Sequence, residues 1–287
     1  MTLVRHPISM AAGIMPEATP AQLVEAAVAG RFDFGGMWVE RDTWSAATTR
    51  AVKAQLHDAG LALLDVEVAW IMPGPPDPWL LELVDIAAEL GAPNLLCVSS
   101  DPDPSATTAK LQAMVDRAVG TGVRVNLEFG LFTQVKTIAA AAEIVGRIEG
   151  AAKGLLCDTL HWARSGGTAD AIRALPREWL GYAQLCDAPA AGPNLSDMSA
   201  IIDDAINRRV AMGEGGLPLA AMVDALPAGL PVAIEERSAT LREAFPDLND
   251  RAREVARTSR GWLDLYSQSA RQGDLAILPW AERPPVV

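Results

Sequence analysis

The chain alternates eight times between a short apolar run and a longer segment with helical spacing, and this repetition constrains its fold more than any other feature. Each run is short and mostly apolar, as expected of a parallel strand that is buried on both faces. In chain order the runs are LVRHPISM, FDFGGMWVE, LALLDVEVAW, NLLCVSS, VRVNLEF, GLLCDTL, GYAQLCD and PVAIEE. An open doubly wound sheet uses the same units, but eight of them without a long linker favour closure. We therefore predict an α/β fold, a single (β/α)8 TIM barrel over residues 1–287.

The segments between the runs carry the usual helix signals. Most begin with Thr or Asp, which cap helix N-termini, and several end at Gly, which suits the residue after a helix. A last helix is predicted over about 250–272. Two stretches depart from this regularity: about 188–216, predicted to be a long loop after strand seven, and the proline-rich tail at about 277–287. A long loop on the C-terminal rim of a barrel is commonly functional.

Charge and composition limit the partners that this chain can have. The 36 acidic residues outnumber the 24 basic ones and give a net charge of -12, which disfavours binding to nucleic acid. The three cysteines each lie in an apolar run, which favours buried free thiols and a reducing compartment. We find neither the apolar core of a signal peptide nor an apolar stretch of about 18 residues that could span a membrane. The expectation is a cytoplasmic protein, a homodimer or homotetramer, that acts on a small molecule.

Carboxylates recur where the last four runs end. Glu128, Asp158 and Asp187 close runs five, six and seven, and Glu235 and Glu236 close run eight. One such acid commonly caps the helix that follows. The carboxyl ends of all barrel strands meet at one mouth, however, where several like charges are costly to hold together. The pattern therefore predicts a bound divalent cation.

The types of side chain indicate which cation. Carboxylates from Glu128, Asp158 and Glu235 with the amide oxygen of Gln184 form a set of hard oxygen donors. Such donors favour Mn²⁺ or Mg²⁺, with Co²⁺, Fe²⁺ and Zn²⁺ as alternatives. His161, three residues after Asp158, has three alternative roles. It adds a nitrogen ligand to the metal, donates a hydrogen bond to one of the metal ligands, or packs in the turn after the strand.

Five motifs together resemble a known family. They are NLEFG at 126–130, CDTLHW at 157–162, QLCDAP at 184–189, RVAMGEGGLPL at 209–219 and AIEE at 233–236. The chain resembles the xylose isomerase-like TIM barrels over about Val4 to Leu265. It is most similar to the sugar phosphate isomerase/epimerase group, which includes ketose 3-epimerases, inosose dehydratases and hydroxypyruvate isomerases. The AP-site endonucleases share the fold, but their three-zinc cluster needs more than the three histidines present here.

The resemblance implies a role for each matching residue. The group binds one divalent metal through positions that fall here on Glu128, Asp158, Gln184 and Glu235, and the group has histidine at the position of Gln184. His161 is implied to face the substrate oxygens. Arg209, with Arg208 as the alternative, is implied to hold a substrate hydroxyl or carboxylate, which suits the planar fork of a guanidinium.

The implied activity is that of a metal-assisted isomerase or epimerase of a carbohydrate-like hydroxy-ketone, working through an enediolate. Glu128, Glu235 and His161 are the implied catalytic residues. The alternatives are a dehydratase of a cyclic polyol ketone and a non-catalytic ligand-binding barrel with a degenerate metal site. Trp38, Trp162 and Asp187 are further expected substrate contacts, and with Trp70 the tryptophans favour a cyclic or aromatic-bearing substrate. No glycine-rich phosphate loop is evident, which favours an unphosphorylated one.

Overall fold

Eight parallel strands close into a barrel in sequence order, and β8 returns to pair with β1. The computed structural model describes residues 6–272, with side chains to residue 269. The strands are β1 Ile8–Met10, β2 Phe34–Trp38, β3 Ala62–Ile71, β4 Asn94–Ser99, β5 Arg124–Glu128, β6 Lys153–Asp158, β7 Ala183–Leu185 and β8 Val232–Ile234. The predicted TIM barrel is confirmed. The first three residues of the predicted strand one and the proline-rich tail lie outside the described residues.

Helices surround the barrel, and several of them begin at a Thr or Asp cap or end at Gly, as predicted. They are α1 Pro20–Ala29, α2 Ala46–Ala59, α3 Trp79–Leu90, α4 Pro104–Ala118, α5 Ile138–Arg147, α6 Thr159–Arg164, α7 Ala169–Arg173, α8 Met198–Asn207, α9 Leu219–Ala225, α10 Ala239–Ala244 and α11 Leu248–Gln272. The Thr19 hydroxyl accepts from the backbone N–H of Gln22, and the Gln22 side chain accepts from that of Thr19. Gly60 and Gly91 end α2 and α3 in the left-handed conformation that favours glycine.

The segment after β7 differs from the expected loop because it contains a helix. Within 188–216 the structure has α8, whose N-cap Asp197 accepts from the backbone N–H groups of Ser199 and Ala200. Ile201 and Ala205, four residues apart, are buried on one face. The helix makes this segment a structured wall on the C-terminal side of the barrel.

The apolar core has an outer layer and a smaller inner one. Most buried apolar side chains lie between the strands and the helices. A second cluster, which includes Leu64, Leu96, Leu156, Tyr182 and Ala233, forms separately from that layer. The three cysteines are buried and free, as predicted. None of the helices in residues 6–272 combines the length and the apolar character that crossing a membrane requires.

Candidate functional site

A cavity of about 630 Å³ is lined by residues at or beyond the C-terminal ends of the strands, with one polar wall and one apolar wall. The polar wall includes Glu67, Glu128, His161, Arg209, Glu235 and Arg237. The apolar wall includes Trp38, Trp70, Trp79, Leu96, Val98 and Phe132. The cavity lies where the fold predicts a catalytic site, because the carboxyl ends of the barrel strands meet there.

Arg209 is a buried cation that joins two of the predicted acids. Its Nη1 lies 2.7 Å from Asp158 Oδ2 and 2.8 Å from Glu235 Oε2, and all three side chains are almost wholly buried. The residue follows α8 and its backbone N–H donates to the carbonyl of Arg237, which brings it beside the end of β8. The structure therefore places Arg209 in the site, in preference to Arg208.

The spacing Asp-x-x-His has a local cause as well as a place in the site. Asp158 ends β6 and is the N-cap of α6, and its Oδ1 accepts from the backbone N–H of His161 at 3.0 Å. Its other oxygen, Oδ2, bonds Arg209. Asp158 thus caps a helix and also faces the charged cluster, and its role as a metal ligand stays a prediction.

Burial and neighbouring charges separate the pKa values of the acids. Burial raises the pKa of Glu128 well above its ordinary value, and the charges of Asp158 and Glu235 add to the shift. Burial also raises the pKa of Glu235, although Arg209 opposes it. Burial opposes ionisation of Asp158 too, but Arg209 and His161 outweigh it, and the pKa of Asp158 lies below its ordinary value. The site therefore combines a firmly ionised acid with two that hold protons more readily.

His161 is neutral at physiological pH. Its pKa is lowered to about 4, chiefly by burial, which the charge of Asp158 opposes and the charges of Arg209 and Arg237 reinforce. Its Nε2 lies 3.4 Å from Nη2 of Arg209, and since a guanidinium can only donate, Nε2 is the acceptor in this contact. The ring packs on Phe132 with 5.0 Å between centroids, which fixes its plane at the edge of the cavity.

One observation in particular supports a hard divalent cation beside Glu128 and Gln184. Glu128 Oε1 and Gln184 Oε1 are buried oxygens without a hydrogen-bond partner in the described residues, and buried acceptors are rarely left so. Glu128, Asp158, Gln184 and Glu235 would hold the ion. In residues 6–272 no three His, Cys, Asp or Glu side chains are gathered closely enough to hold a metal ion, and Arg209 already pairs with Asp158 and Glu235. Binding of a metal here would therefore require these side chains to rearrange.

Two expected substrate contacts do not line the cavity. Trp162 is buried beside Gly167, and its indole N–H donates to the carbonyl of Thr168. Asp187 is also buried, and its carboxylate accepts from the backbone N–H groups of Ala188, Gly213, Gly215 and Leu217. Both expectations are corrected: Trp162 is hydrogen-bonded to the segment after α6, and Asp187 is hydrogen-bonded to the loop before α9. Trp38 does line the cavity, and Trp70 joins it.

The structure adds three residues that were not among the predicted site residues. Glu67 lies on β3 with its Oε1 3.5 Å from Nε2 of Gln184, and burial followed by the charge of Asp65 raises its pKa well above the ordinary value. Phe132 and Arg237 line the same cavity. An acid inside an otherwise apolar strand was a usable signal for Glu67. For Arg237 the only indication in the sequence was a weaker one, which is its position two residues after Glu235.

Comparisons with known proteins concern the fold of the chain. A family model described as "Xylose isomerase-like TIM barrel" matches residues 22–264. No curated protein matches the sequence significantly. Among solved structures, a xylose isomerase-like TIM barrel/4-hydroxyphenylpyruvate dioxygenase fusion protein superposes with a TM-score of 0.77 at 20% identity. That match covers 96% of this chain and 46% of the fusion protein, so this chain spans about half of its length.

Two smaller proteins match along nearly their whole length. The IolI protein with a binding zinc atom has a TM-score of 0.72 at 15% identity, covering 92% of this chain and 98% of that one. D-allulose 3-epimerase from Methylomonas sp., in complex with D-allulose, has a TM-score of 0.66 at 15% identity, covering 91% and 99%. At these identities the likeness shows the fold.

Proposed function

The chain belongs to the xylose isomerase-like TIM barrel family, and we propose that it is a divalent-metal-assisted isomerase or epimerase of a carbohydrate-like hydroxy-ketone. The observation that supports this best is the pair of buried glutamates on one cavity, Glu128 and Glu235, whose pKa values are both raised. A raised pKa lets a carboxyl group take up and return a proton near neutral pH. Two such groups around one substrate are what isomerisation and epimerisation require.

The two glutamates differ in a way that suggests a division of roles. Glu235 is held by Arg209, which opposes the effect of burial and favours the carboxylate that removes a proton. Glu128 Oε1 has no such partner among the described residues, and the charges of two neighbouring acids favour its protonated form. We assign Glu235 as the base and Glu128 as the acid in one direction, with the roles exchanged in the other.

Arg209 and His161 orient the substrate. Arg209 presents guanidinium N–H donors at the cavity wall, and neutral His161 beside it can exchange hydrogen bonds with a substrate hydroxyl. Both are nearly immobile, since one is tied to two carboxylates and the other is packed on Phe132. Fixed donors of this kind hold a reacting C–H bond in line with the base.

A divalent cation, when bound by Glu128, Asp158, Gln184 and Glu235, supplies a Lewis acid that polarises the carbonyl and makes the neighbouring C–H more acidic. The donor chemistry favours Mn²⁺ or Mg²⁺ for this task. The zinc named for the IolI protein belongs to that protein. For this chain the choice of metal is part of the proposal.

Proton exchange tests the proposal directly. The purified protein with Mn²⁺ is incubated in D₂O with D-allulose and with a cyclic polyol ketone, and products are followed by NMR and mass spectrometry. We expect deuterium at the carbon next to the carbonyl in a product of otherwise unchanged mass. Glu128→Gln and Glu235→Gln should each lose at least about a hundred-fold in rate, because general acid-base catalysis contributes that much.

Glu40→Gln is the matched control, since Glu40 lines the same cavity but is exposed at its rim. Its exchange rate should stay within about two-fold of that of the unmodified protein. Loss of water from the substrate would replace the proposal with the dehydratase. Binding of these compounds with no exchange would indicate a non-catalytic barrel instead.

A further inference from the structure

Arg237 is one of the cavity residues that the proposed chemistry leaves unused. It lies two residues beyond Glu235, and its side chain lines the cavity beside Trp38. The guanidinium carbon is 5.3 Å from the centre of the Trp38 ring. The aliphatic stem passes so close to Gly13 that a Cβ there would lie 3.1 Å from Cδ of Arg237. The side chain is thus held between a glycine and an aromatic face.

The Arg237 guanidinium has no hydrogen-bond or ion-pair partner in the part of the chain that the structure describes. Its Nε is buried and unpaired, and no carboxylate comes within ion-pairing distance. The contrast with the other cavity arginines is sharp. Arg209 bonds two carboxylates, and Arg41 bonds Asp77. A partly buried cation with unused donors is costly unless something supplies acceptors.

Arg237 lies beside the proposed reacting groups. A Cβ on Gly13 would lie 2.9 Å from Glu235 Oε1 and 3.1 Å from Cδ of Arg237, so these two side chains are neighbours. Both also line the cavity that Glu67 and Glu128 line. A group bound to Arg237 would therefore lie next to the reacting part of a substrate.

The shape and surroundings of this cation select the group. A guanidinium presents two parallel N–H donors in one plane, which match the two oxygens of a carboxylate. Trp38 below it, with Trp70 and Phe132 across the apolar wall, leaves room for a flat or ring-shaped carbon skeleton. The glycine-rich loop that usually cradles a phosphate is not evident in the sequence.

We propose that Arg237 anchors a substrate carboxylate through a two-pronged hydrogen bond, so that the hydroxy-ketone is also an acid with a ring-like or apolar skeleton. This assignment deepens the proposed function and relies on it for the identity of the reacting group. The anchoring itself is a binding property and can be measured without turnover.

Three probes with one ring and different head groups test the proposal: benzoate, benzamide and phenyl phosphate. Their dissociation constants are measured by NMR titration of the full chain, with and without EDTA, so that a metal-bound carboxylate is recognised. We expect benzoate to bind at least about ten-fold more tightly than benzamide, because a charge-assisted hydrogen bond is worth that much. Arg237→Met should reduce this preference to about two-fold or less. Arg237→Lys keeps the charge without the fork and should give an intermediate preference.

Arg41→Met is the matched control, since Arg41 lines the same cavity and stacks on Trp79 at 5.5 Å but is bonded to Asp77. It should leave the preference for benzoate unchanged. An unchanged preference in Arg237→Met and Arg237→Lys, or none in the unmodified protein, would overturn the proposal. Tighter binding of phenyl phosphate than of benzoate would overturn the carboxylate in favour of a phosphate. Proton exchange on neutral ketoses together with no benzoate preference would refute only the anchoring.

Discussion

Replacing Arg209 with Met tests the charged cluster at the base of the site. Arg209 Nη1 lies within 2.8 Å of both Asp158 and Glu235, and the side chains are at most 8% exposed. Methionine keeps the apolar stem and removes only the charge and its donors, so two buried carboxylates lose their partner. Removing one member of a buried ion pair costs about 3–5 kcal/mol. We expect the free energy of unfolding at pH 7.5 to fall by that amount.

The loss should depend on pH in a defined direction. In the unmodified protein the pKa of Asp158 is lowered, so its contribution to stability is present above its unfolded pKa and is lost as the pH falls through the folded value. Without Arg209, burial raises that pKa, and the ionised form opposes folding at neutral pH. The difference between the two proteins should therefore be largest near pH 7.5 and should shrink towards pH 4.

Urea unfolding followed by circular dichroism at both pH values, with reversibility checked, measures the effect. Arg117→Met is the control, since Arg117 forms an equally short ion pair with Asp85 at 2.7 Å, but both side chains are about half exposed. An exposed pair contributes about 0–1 kcal/mol. Equal losses in the two variants, or a loss from Arg209→Met that does not change with pH, would show that the buried ion pairs of Arg209 do not stabilise the fold.

Four further predictions concern a buried acid, three expected contacts and the metal. Burial and two nearby glutamates raise the pKa of Glu236 to about 8. Its ionisation therefore destabilises the fold as the pH rises from the pKa of the unfolded state to that of the folded state. The free energy of unfolding of Glu236→Gln, relative to that of the unmodified protein, should therefore increase by about 2–4 kcal/mol from pH 4 to pH 9, as measured by urea unfolding. The same pH dependence of stability in both proteins would contradict this. Asp187→Ala should lower the free energy of unfolding by about 1–3 kcal/mol, because four backbone N–H groups lose their acceptor. The affinity for benzoate should not change. Trp162→Phe should likewise lower thermal stability without changing ligand affinity, whereas Trp38→Leu should weaken ligand binding. The reverse result for ligand affinity would contradict the cavity lining. Mn²⁺ at 100 times its dissociation constant should stabilise the protein by about 2.7 kcal/mol, and calorimetry should show much weaker binding by Gln184→Ala.

The barrel followed from the sequence because its signals are local and repeated. Each strand appears as an apolar run, and each helix carries its own cap, such as Thr19 at the start of α1 and Gly60 at the end of α2. The rim of acids was predictable for a related reason, since every parallel strand must deliver its last residue to the same mouth. Helix α8 was missed because a segment of irregular length after β7 was interpreted as loop, although Ile201 and Ala205 have helical spacing.

The contacts within the site depended on residues that are distant in the sequence. Asp158 and Arg209 are 51 residues apart, and Glu67 and Gln184 are 117 apart. Periodicity specifies which face of its own element a side chain occupies, but not which group from another element meets it there. For this reason the sequence did not distinguish Trp38 from Trp162 as a substrate contact. In the structure Trp38 lines the cavity, whereas Trp162 donates a hydrogen bond to the carbonyl of Thr168.

Sequence patterns alone predicted the closed barrel, the end of the barrel where the acids gather and the oxygen-rich character of their donors. These properties depend on apolar period and strand direction, which each segment carries alone. The folded chain was needed to show that Arg209 pairs with two of the acids and that Arg237 enters the same cavity without a partner among the described residues. Charge pairing and desolvation depend on the distances between side chains, and closure of the chain into a barrel sets those distances.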